Sequence, residues 1–188
     1  MLGREGLFQH YNLPMTRRIF LIAGLVSLPC VVHAGGLVYA DSSFGISLKL
    51  PPGWEMTSEE IEVGMSSVGF ERGYLYARLI FTDVPEDEQG TLSSAECLEA
   101  MTVEMGYGEE GGQVIGEGKV KLAGLWGAER TYRDSGDETK GVSRVIAATD
   151  GYRVVVVVFN HDGVLSFTKK DRTYMKEFLK GIKLLDIR

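Results

Sequence analysis

The sequence predicts one α+β domain, built on an antiparallel β-sheet that is covered on both faces and packed against a C-terminal helix. Segments with alternating apolar and polar residues are separated by turn residues, which is typical of antiparallel strands. Two other segments, 93–105 and 168–181, have the spacing of amphipathic helices. The run 154–159 is apolar at every position, so it belongs in the middle of a sheet covered on both sides. No repeat or low-complexity linker interrupts residues 35–188, which are therefore predicted to form a single domain.

Residues 1–34 are interpreted as an N-terminal extension and signal peptide. Arg17 and Arg18 precede an apolar run that is shorter than the ~20 residues needed to span a bilayer. The residues before Ala34 approximate the pattern that signal peptidase recognises. We therefore expect cleavage between Ala34 and Gly35, and a periplasmic or secreted protein that associates with a membrane only if the signal is retained.

Details of the export signal leave the route open. Met15 is the expected start, because the residues before it add neither a charge pattern nor an apolar run. Cys30 follows Leu28 and Pro29, whereas lipid-attachment sites have small residues there, so a lipoprotein is not expected. The stretch TRRIFLI resembles a twin-arginine signal, although Ile22 stands where Lys is usual. Ordinary secretion and twin-arginine export both remain possible.

Charge and cysteine content exclude several classes of function. The whole chain has 20 basic and 26 acidic residues, and removal of residues 1–34 leaves 17 and 25, a net charge of −8. Phosphate backbones and anionic lipid surfaces repel an acidic domain, so no nucleic-acid partner is predicted. Cys97 is then the one remaining cysteine, so an internal disulfide is not possible.

The stretch FGISLKLPPGWEM predicts a strand that ends abruptly. Residues 44–50 alternate between apolar and small or polar side chains, the period of a half-buried strand. Pro51 and Pro52 cannot donate hydrogen bonds to a sheet, so the strand stops there. Gly53 permits a turn, and Trp54 can fold back over the end of the strand. These four residues are therefore assigned a structural role.

Capping-box spacing predicts the starts of two helices in the first half of the chain. Thr57 with Glu60 predicts a short helix, and Ser93 with Glu96 predicts a longer one. A third helix is predicted at 168–181. The apolar stripes of the two longer helices are Ala95, Leu98, Met101 and Met105, and Tyr174, Met175, Phe178 and Leu179.

The other alternating segments predict strands that pair as hairpins. Asp150-Gly151 is a strong hairpin signal, and Ala123-Gly124 joins another pair. The predicted pairs are 63–70 with 74–84 around the turn 71–73, 113–124 with 125–134, and 139–149 with 152–160.

These elements resemble those of the PsbP-like superfamily. The resemblance is one of pattern, covers nearly all of residues 37–185 and is carried by LPPGW, LAGLWGAERTYR, GYRVVVVV and FLKGIKLL. The group includes the extrinsic P protein of photosystem II, DcrB-like bacterial envelope proteins and a Ran-binding import factor. The resemblance implies an α/β/α sandwich that serves as a binding or accessory module rather than as an enzyme. DcrB-like members are often lipoproteins, from which this chain departs, and no functional residue is carried over.

Few residues could support catalysis. His161 is the one histidine after residue 34, and NHDG around it has turn residues, so we predict that it lies in a turn. Cys97 is flanked by Glu96 and Glu99, whereas a reactive cysteine needs a positive environment. We therefore predict that Cys97 is a small buried apolar residue. The aromatic side chains Tyr74, Tyr76, Trp126 and Tyr132 are expected in the core or in cross-strand pairs rather than in a ligand groove.

The acidic clusters are interpreted as solvated loops. None has the EF-hand spacing of a calcium loop, although weak cation binding remains open. Carboxylate pairs for glycoside hydrolysis require a defined separation in space that sequence does not reveal. The clusters are Glu86–Glu88, Glu109-Glu110, and Asp134 with Asp137-Glu138.

The sequence therefore predicts an exported, non-enzymatic domain of the bacterial envelope that binds a protein partner or a small ligand. No catalytic, metal or cofactor site is predicted. Two alternatives remain: a carboxylate-based hydrolase or metal-dependent enzyme that uses His161, and a stress or chaperone-like protein with an exposed apolar patch.

Overall fold

A computed structural model describes residues 32–33, 36–62, 64–107, 112–134 and 140–185. They form two antiparallel β-sheets, two α-helices and one short 3₁₀ segment. The strands are β1 (Val32–His33), β2 (Gly36–Asp41), β3 (Ile46–Lys49), β4 (Glu55–Glu62), β5 (Met65–Arg72), β6 (Leu75–Asp83), β7 (Gly112–Leu122), β8 (Leu125–Asp134), β9 (Gly141–Thr149), β10 (Arg153–Asp162) and β11 (Ile182–Leu184). The helices are α1 (Ser94–Glu104) and α2 (Lys169–Gly181).

The larger sheet has seven strands in the order β4-β5-β6-β10-β9-β8-β7. The valine-rich strand β10 occupies its centre, with β6 on one side and β9 on the other. This position explains why the strand is apolar at successive residues, because both of its faces are covered. The smaller sheet has the order β1-β2-β3-β11, so the end of the chain pairs with the strand formed by the FGISLKL stretch.

The two helices lie on opposite faces of the larger sheet. Residues at alternate positions of β10 join two different apolar clusters: Val156 belongs with α1, and Val157 belongs with α2 and the smaller sheet. The α+β class and the antiparallel sheet are therefore confirmed. The α/β/α sandwich is not confirmed, because strands dominate the structure and the smaller sheet shares one face with α2.

The segment after the two prolines makes a turn that ends at Trp54. The N–H of Trp54 donates to the carbonyl of Pro51 at 3.3 Å, and Gly53 has a φ of +81°, which glycine adopts without strain. The indole of Trp54 is buried, and its ring centroid lies 4.8 Å from that of Phe178. The side chain therefore joins the end of β3 to the C-terminal helix.

The predicted helix at 57–60 is wrong, since these residues belong to β4. Ser58 pairs with Gly69 of β5 and Glu60 pairs with Ser67. The register of the pairing shifts between Met56 and Ser58. Gly69 of β5 makes this approach possible, because an added Cβ there would lie 2.5 Å from the Ser58 hydroxyl. Long-range backbone pairing at the sheet edge outweighs a capping spacing that is only a local preference.

Two smaller differences also follow from tertiary packing. The first arm of the first hairpin ends two residues later than predicted, because Arg72 pairs with Leu75 across a turn at Gly73. In α1 the buried residues include Cys97 and Thr102, whereas Ala95 is exposed. The capping boxes at Ser93 and Thr168 are present, which confirms the predicted starts of both helices.

Part of the predicted signal segment lies outside the described residues, which include neither residues 1–31 nor the cleavage site Ala34-Gly35. The signal peptide therefore stays a prediction. Within the described ranges, neither helix combines the length and apolar character needed to cross a bilayer.

Candidate functional site: a basic groove beside the C-terminal helix

A groove separates α2 from the strands β7, β8 and β9. It contains two adjoining cavities with volumes of about 490 Å³ and about 350 Å³. Arg144 and Arg172 line both of them. We call this feature the basic groove, because its cationic lining consists of Lys121, Arg144, Arg172, Lys176 and Lys180.

The helix side of the basic groove follows from the periodicity of α2. Arg172, Lys176 and Lys180 are four residues apart, so they lie along one face of the helix. All three side chains are exposed. Met175 and Leu179 precede two of them and are buried. Met175 and Leu179 therefore hold the helix on the sheet, and the three cations lie at the edge of this contact.

The strand side is organised by an ion pair. Arg144 on β9 is paired with Glu129 on β8, and its Nε lies 3.0 Å from Glu129 Oε2. Both side chains are about one-fifth exposed, at 19% and 21%. On β7, Gly118 gives the carboxylate room, because an added Cβ would lie 3.0 Å from Glu129 Oε1. A second glycine, Gly116, lines the smaller cavity without a side chain.

A tight turn closes the other end of the groove. Ala123 and Gly124 connect β7 to β8 and have φ values of 53° and 88°, the conformation of a type I′ hairpin turn. Beside this turn, Lys121 Nζ lies 5.3 Å from the ring centroid of Trp126. This cation–π contact holds the ammonium group of Lys121 on the face of the hairpin that carries Trp126, because the two residues are directly paired and Trp126 lines neither cavity.

Most cations of the basic groove make no ion pair with a described residue. Among the described residues, no carboxylate lies within ion-pair distance of Arg172, Lys176 or Lys180. Arg172 donates one hydrogen bond, to the carbonyl of Phe167 at 3.2 Å. The groove is therefore strongly positive although the chain as a whole has a net charge of −6.

The prediction that His161 lies in a turn is wrong, because β10 continues through it and pairs it with Leu75 and Val142. Its Nδ1 lies 3.3 Å from Asp171 Oδ2 in the first turn of α2. The imidazole also stacks on Tyr74, with ring centroids 6.3 Å apart. His161 therefore links the central strand to the start of α2.

Asp171 is the acceptor at the centre of this link. Its Oδ2 accepts hydrogen bonds from the N–H and the hydroxyl of Thr168, both at 2.8 Å. Burial raises the pKa of Asp171, but hydrogen bonds from Thr168 and His161 outweigh burial and hold it below the ordinary value of 3.8. The carboxylate thus caps the helix, and the pair of His161 and Asp171 anchors the start of α2 to β10.

The structure places the other candidate residues apart from the basic groove. Cys97 is buried against the sheet, and burial, with the nearby charge of Glu96, raises the pKa of its thiol to about 12. This agrees with the predicted buried apolar residue. Tyr132 is buried and stacked on Tyr107 at 4.9 Å, whereas Tyr74 and Trp126 are exposed.

The acidic clusters do not assemble into a described site. Glu86–Glu88 forms the short 3₁₀ segment, with no buried residue. The clusters 109–110 and 137–138 lie outside the described residues, as does the side chain of Asp134. Within the described part of the chain, no group of three or more His, Cys, Asp or Glu side chains could hold a metal ion.

Sequence reasoning missed the basic groove because it treated charge as a sum over the domain. The available signal was the spacing of Arg172, Lys176 and Lys180 within a predicted helix, which places three cations on one face. Lys121 and Arg144 carry no comparable local signal, because they line a cavity together with that face only when α2 packs on the sheet.

No protein-family model and no curated protein sequence matches the chain. A structure from Bacteroides thetaiotaomicron VPI-5482 is similar with a TM-score of 0.48 and 12% identity, over 81% of this chain and 49% of that one. This chain therefore spans about half of that protein. LpqN of Mycobacterium tuberculosis, which is involved in cell envelope biogenesis, is similar with a TM-score of 0.46 and 14% identity, over 75% of this chain and 83% of that one. Because both TM-scores are below 0.5, neither similarity supports a conclusion about family or function. Membership of the PsbP-like superfamily stays a prediction.

Proposed function

We propose that this protein is an exported, non-enzymatic binding domain of the bacterial envelope, and that it binds a small anionic ligand in the basic groove. The observation that carries this proposal is the row formed by Arg172, Lys176 and Lys180, which faces a concave site without a described carboxylate partner. Cations that stabilise a fold are normally paired or dispersed. Cations that converge on a cavity are suited to an anion.

The shape of the site supports a small ligand rather than a protein partner. Both cavities, at about 490 Å³ and 350 Å³, fall within the range of ligand pockets, roughly 300–1,000 Å³. A stable protein interface needs about 800 Å² from each partner, usually on a flatter surface. The apolar floor, which includes Leu179 and Ile182, excludes water beneath the charges and strengthens their attraction for an anion.

The ionisable groups of the site support binding without turnover. Glu129 is the one carboxylate among the described lining residues, and Arg144 already engages it. A general base needs an accessible lone pair within hydrogen-bond reach of its substrate. His161, the other candidate, is held by Asp171 and is not among the residues that line either cavity.

Calorimetric titration of the purified chain with citrate at low ionic strength tests the proposal. We expect saturable binding that weakens as salt is added, because screening reduces charge attraction. Lys176→Gln should weaken binding about three- to tenfold, consistent with roughly 1 kcal/mol for one partly exposed charge.

Lys183→Gln is the matched control for this titration. Lys183 lies on β11, is exposed and lines neither cavity, so its removal changes the net charge equally but leaves the groove intact. If both variants lost affinity equally, binding would reflect net charge and the groove would not be the site. Turnover of a bound ligand would contradict the non-enzymatic part of the proposal.

A further inference from the structure

The difference between the two cavities identifies a class of ligand. This inference rests on the proposed function. We infer that the ligand is a phosphorylated, hydroxyl-bearing compound, with its phosphate in the larger cavity beside Arg172, Lys176 and Lys180 and its hydroxylated part in the smaller one. Arg144 and Arg172 line both cavities, so one molecule can contact both at once.

The larger cavity is suited to a multiply charged group. Like charges four residues apart on a helix repel each other, and Lys176 has such a neighbour on each side, Arg172 and Lys180. A carboxylate with a single charge would neutralise only one of the three. A phosphate monoester carries nearly two charges at neutral pH and offers three strong acceptor oxygens, and the planar guanidinium of Arg172 can donate to two of them.

The smaller cavity has a different chemistry, with polar groups above an apolar floor. Val142, Phe167 and Met175 are buried apolar residues in its lining. Thr131 and Ser166 also line it, and neither hydroxyl group makes a hydrogen bond to the described residues. A sugar-like ring fits such a site, because its hydroxyls can pair with the polar groups while its C–H face packs on the apolar floor.

A hydrocarbon chain would fit the smaller cavity less well. It would remove the hydroxyls of Thr131 and Ser166 from water without giving them a partner, and buried polar groups that lack hydrogen bonds are costly. Glu129 is also in the lining and would lose solvent on the side away from Arg144. The polar part of the ligand is therefore assigned to this cavity.

A titration series with four probes separates the two parts of the site. The purified chain is titrated with inorganic phosphate, glucose 6-phosphate, hexyl phosphate and glucose. We expect glucose 6-phosphate to bind about tenfold more tightly than inorganic phosphate or hexyl phosphate, the gain that two additional hydrogen bonds provide. Glucose alone should show no binding, since it lacks the charge.

Substitutions in each cavity show which residues produce these differences in affinity. Thr131→Val and Ser166→Ala should remove the advantage of glucose 6-phosphate while leaving the affinity for inorganic phosphate unchanged. Lys176→Gln should weaken both probes, and Lys183→Gln should weaken neither. Unchanged far-ultraviolet circular dichroism and melting temperature identify variants that have kept the fold, and the two hydroxyl variants test the same cavity independently.

The outcomes distinguish this inference from the proposed function. If neither inorganic phosphate nor citrate binds, the basic groove is not an anion site and both statements fail. If phosphate binds but glucose 6-phosphate binds no more tightly, or if hexyl phosphate binds best, only the assignment of the smaller cavity fails. Co-sedimentation of the protein with phosphatidylcholine vesicles, with and without phosphatidylinositol 4-phosphate, then distinguishes the source of the phosphate. If the protein sediments only with vesicles that contain the phosphorylated lipid, the ligand is a lipid headgroup. If it does not sediment, the ligand is a free phosphorylated compound.

Discussion

The two sides of helix α2 have opposite relations to their surroundings. On one side, Phe178 lies within an aromatic cluster, with ring centroids 4.8 Å from Trp54, 5.4 Å from Phe70 and 5.6 Å from Phe159. On the other, Lys176 and its basic neighbours border a solvent-accessible groove. The first side is buried and tightly packed, whereas the second is exposed to solvent and positively charged.

This difference separates residues that stabilise the fold from residues whose charge does not contribute to its stability. Burial of the aromatic side removes apolar surface from water and adds edge-to-face ring contacts. The cationic side adds repulsion between Arg172, Lys176 and Lys180, and contributes no described ion pair in return. An arrangement that opposes stability supports the proposed role in binding.

Disruption of the aromatic side should have the largest effect on stability. Trp54→Ala removes a buried indole, so we expect the free energy of unfolding to fall by about 3–5 kcal/mol. Urea denaturation followed by circular dichroism measures this change. Trp126→Ala is the control, because that side chain is 66% exposed and should cost no more than about 0.5 kcal/mol. Similar losses in the two variants would show that the aromatic cluster is not the main anchor of α2.

Asp171 anchors the first turn of α2, where the two sides begin. Its pKa is lower in the folded protein than in the unfolded chain, so it stabilises the fold above pH ~3.9, its unfolded value. That contribution is lost as the pH falls through the lower, folded pKa. Asp171→Asn should therefore reduce the free energy of unfolding by about 1–2 kcal/mol at pH 7.

Measurement of urea denaturation between pH 7 and pH 2 tests the sign of this effect. The difference between the original chain and Asp171→Asn should persist down to about pH 4 and then shrink as the carboxyl group is protonated. Asp87→Asn, in the exposed 3₁₀ segment, should show little difference at any pH. A difference that stayed unchanged down to pH 2 would refute the capping role of the carboxylate.

Removal of a charge from the cationic side should have the smallest effect on stability and the opposite sign. Lys176→Gln relieves repulsion from Arg172 and Lys180, so we expect a gain of about 0.5 kcal/mol at low ionic strength. High salt should reduce the gain through screening. Differential scanning calorimetry at two salt concentrations, with Lys183→Gln as control, measures it. A loss of stability in Lys176→Gln would mean that the lysine supports the fold after all.

Local patterns were good predictors where one local cause determines the structure. The uninterrupted valines of β10 are buried on both faces only in the middle of a sheet. Ser93 and Thr168 start helices because an apolar stripe follows each cap and holds the new helix on the sheet. Thr57 has the same spacing to Glu60 but no apolar stripe behind it, and pairing with β5 prevailed.

His161 shows why a local pattern was insufficient near the end of β10. Turn residues surround it in sequence, yet β10 is held on both sides by neighbouring strands, and its hydrogen-bonding partner Asp171 comes from the next helix. Such a partner is ten residues away in the chain and becomes a neighbour only when α2 docks.

The sequence by itself determined the α+β class, the central strand, both long helices and the presence of three cations along one face of α2. These features depend on residue periodicity and on interactions between near neighbours in the chain. Only the tertiary structure decided that Arg144 stands opposite those cations, in the lining of both cavities. The physical reason is that a binding groove is the space left between elements, and that space depends on how α2 packs on the face of the sheet that β7, β8 and β9 form.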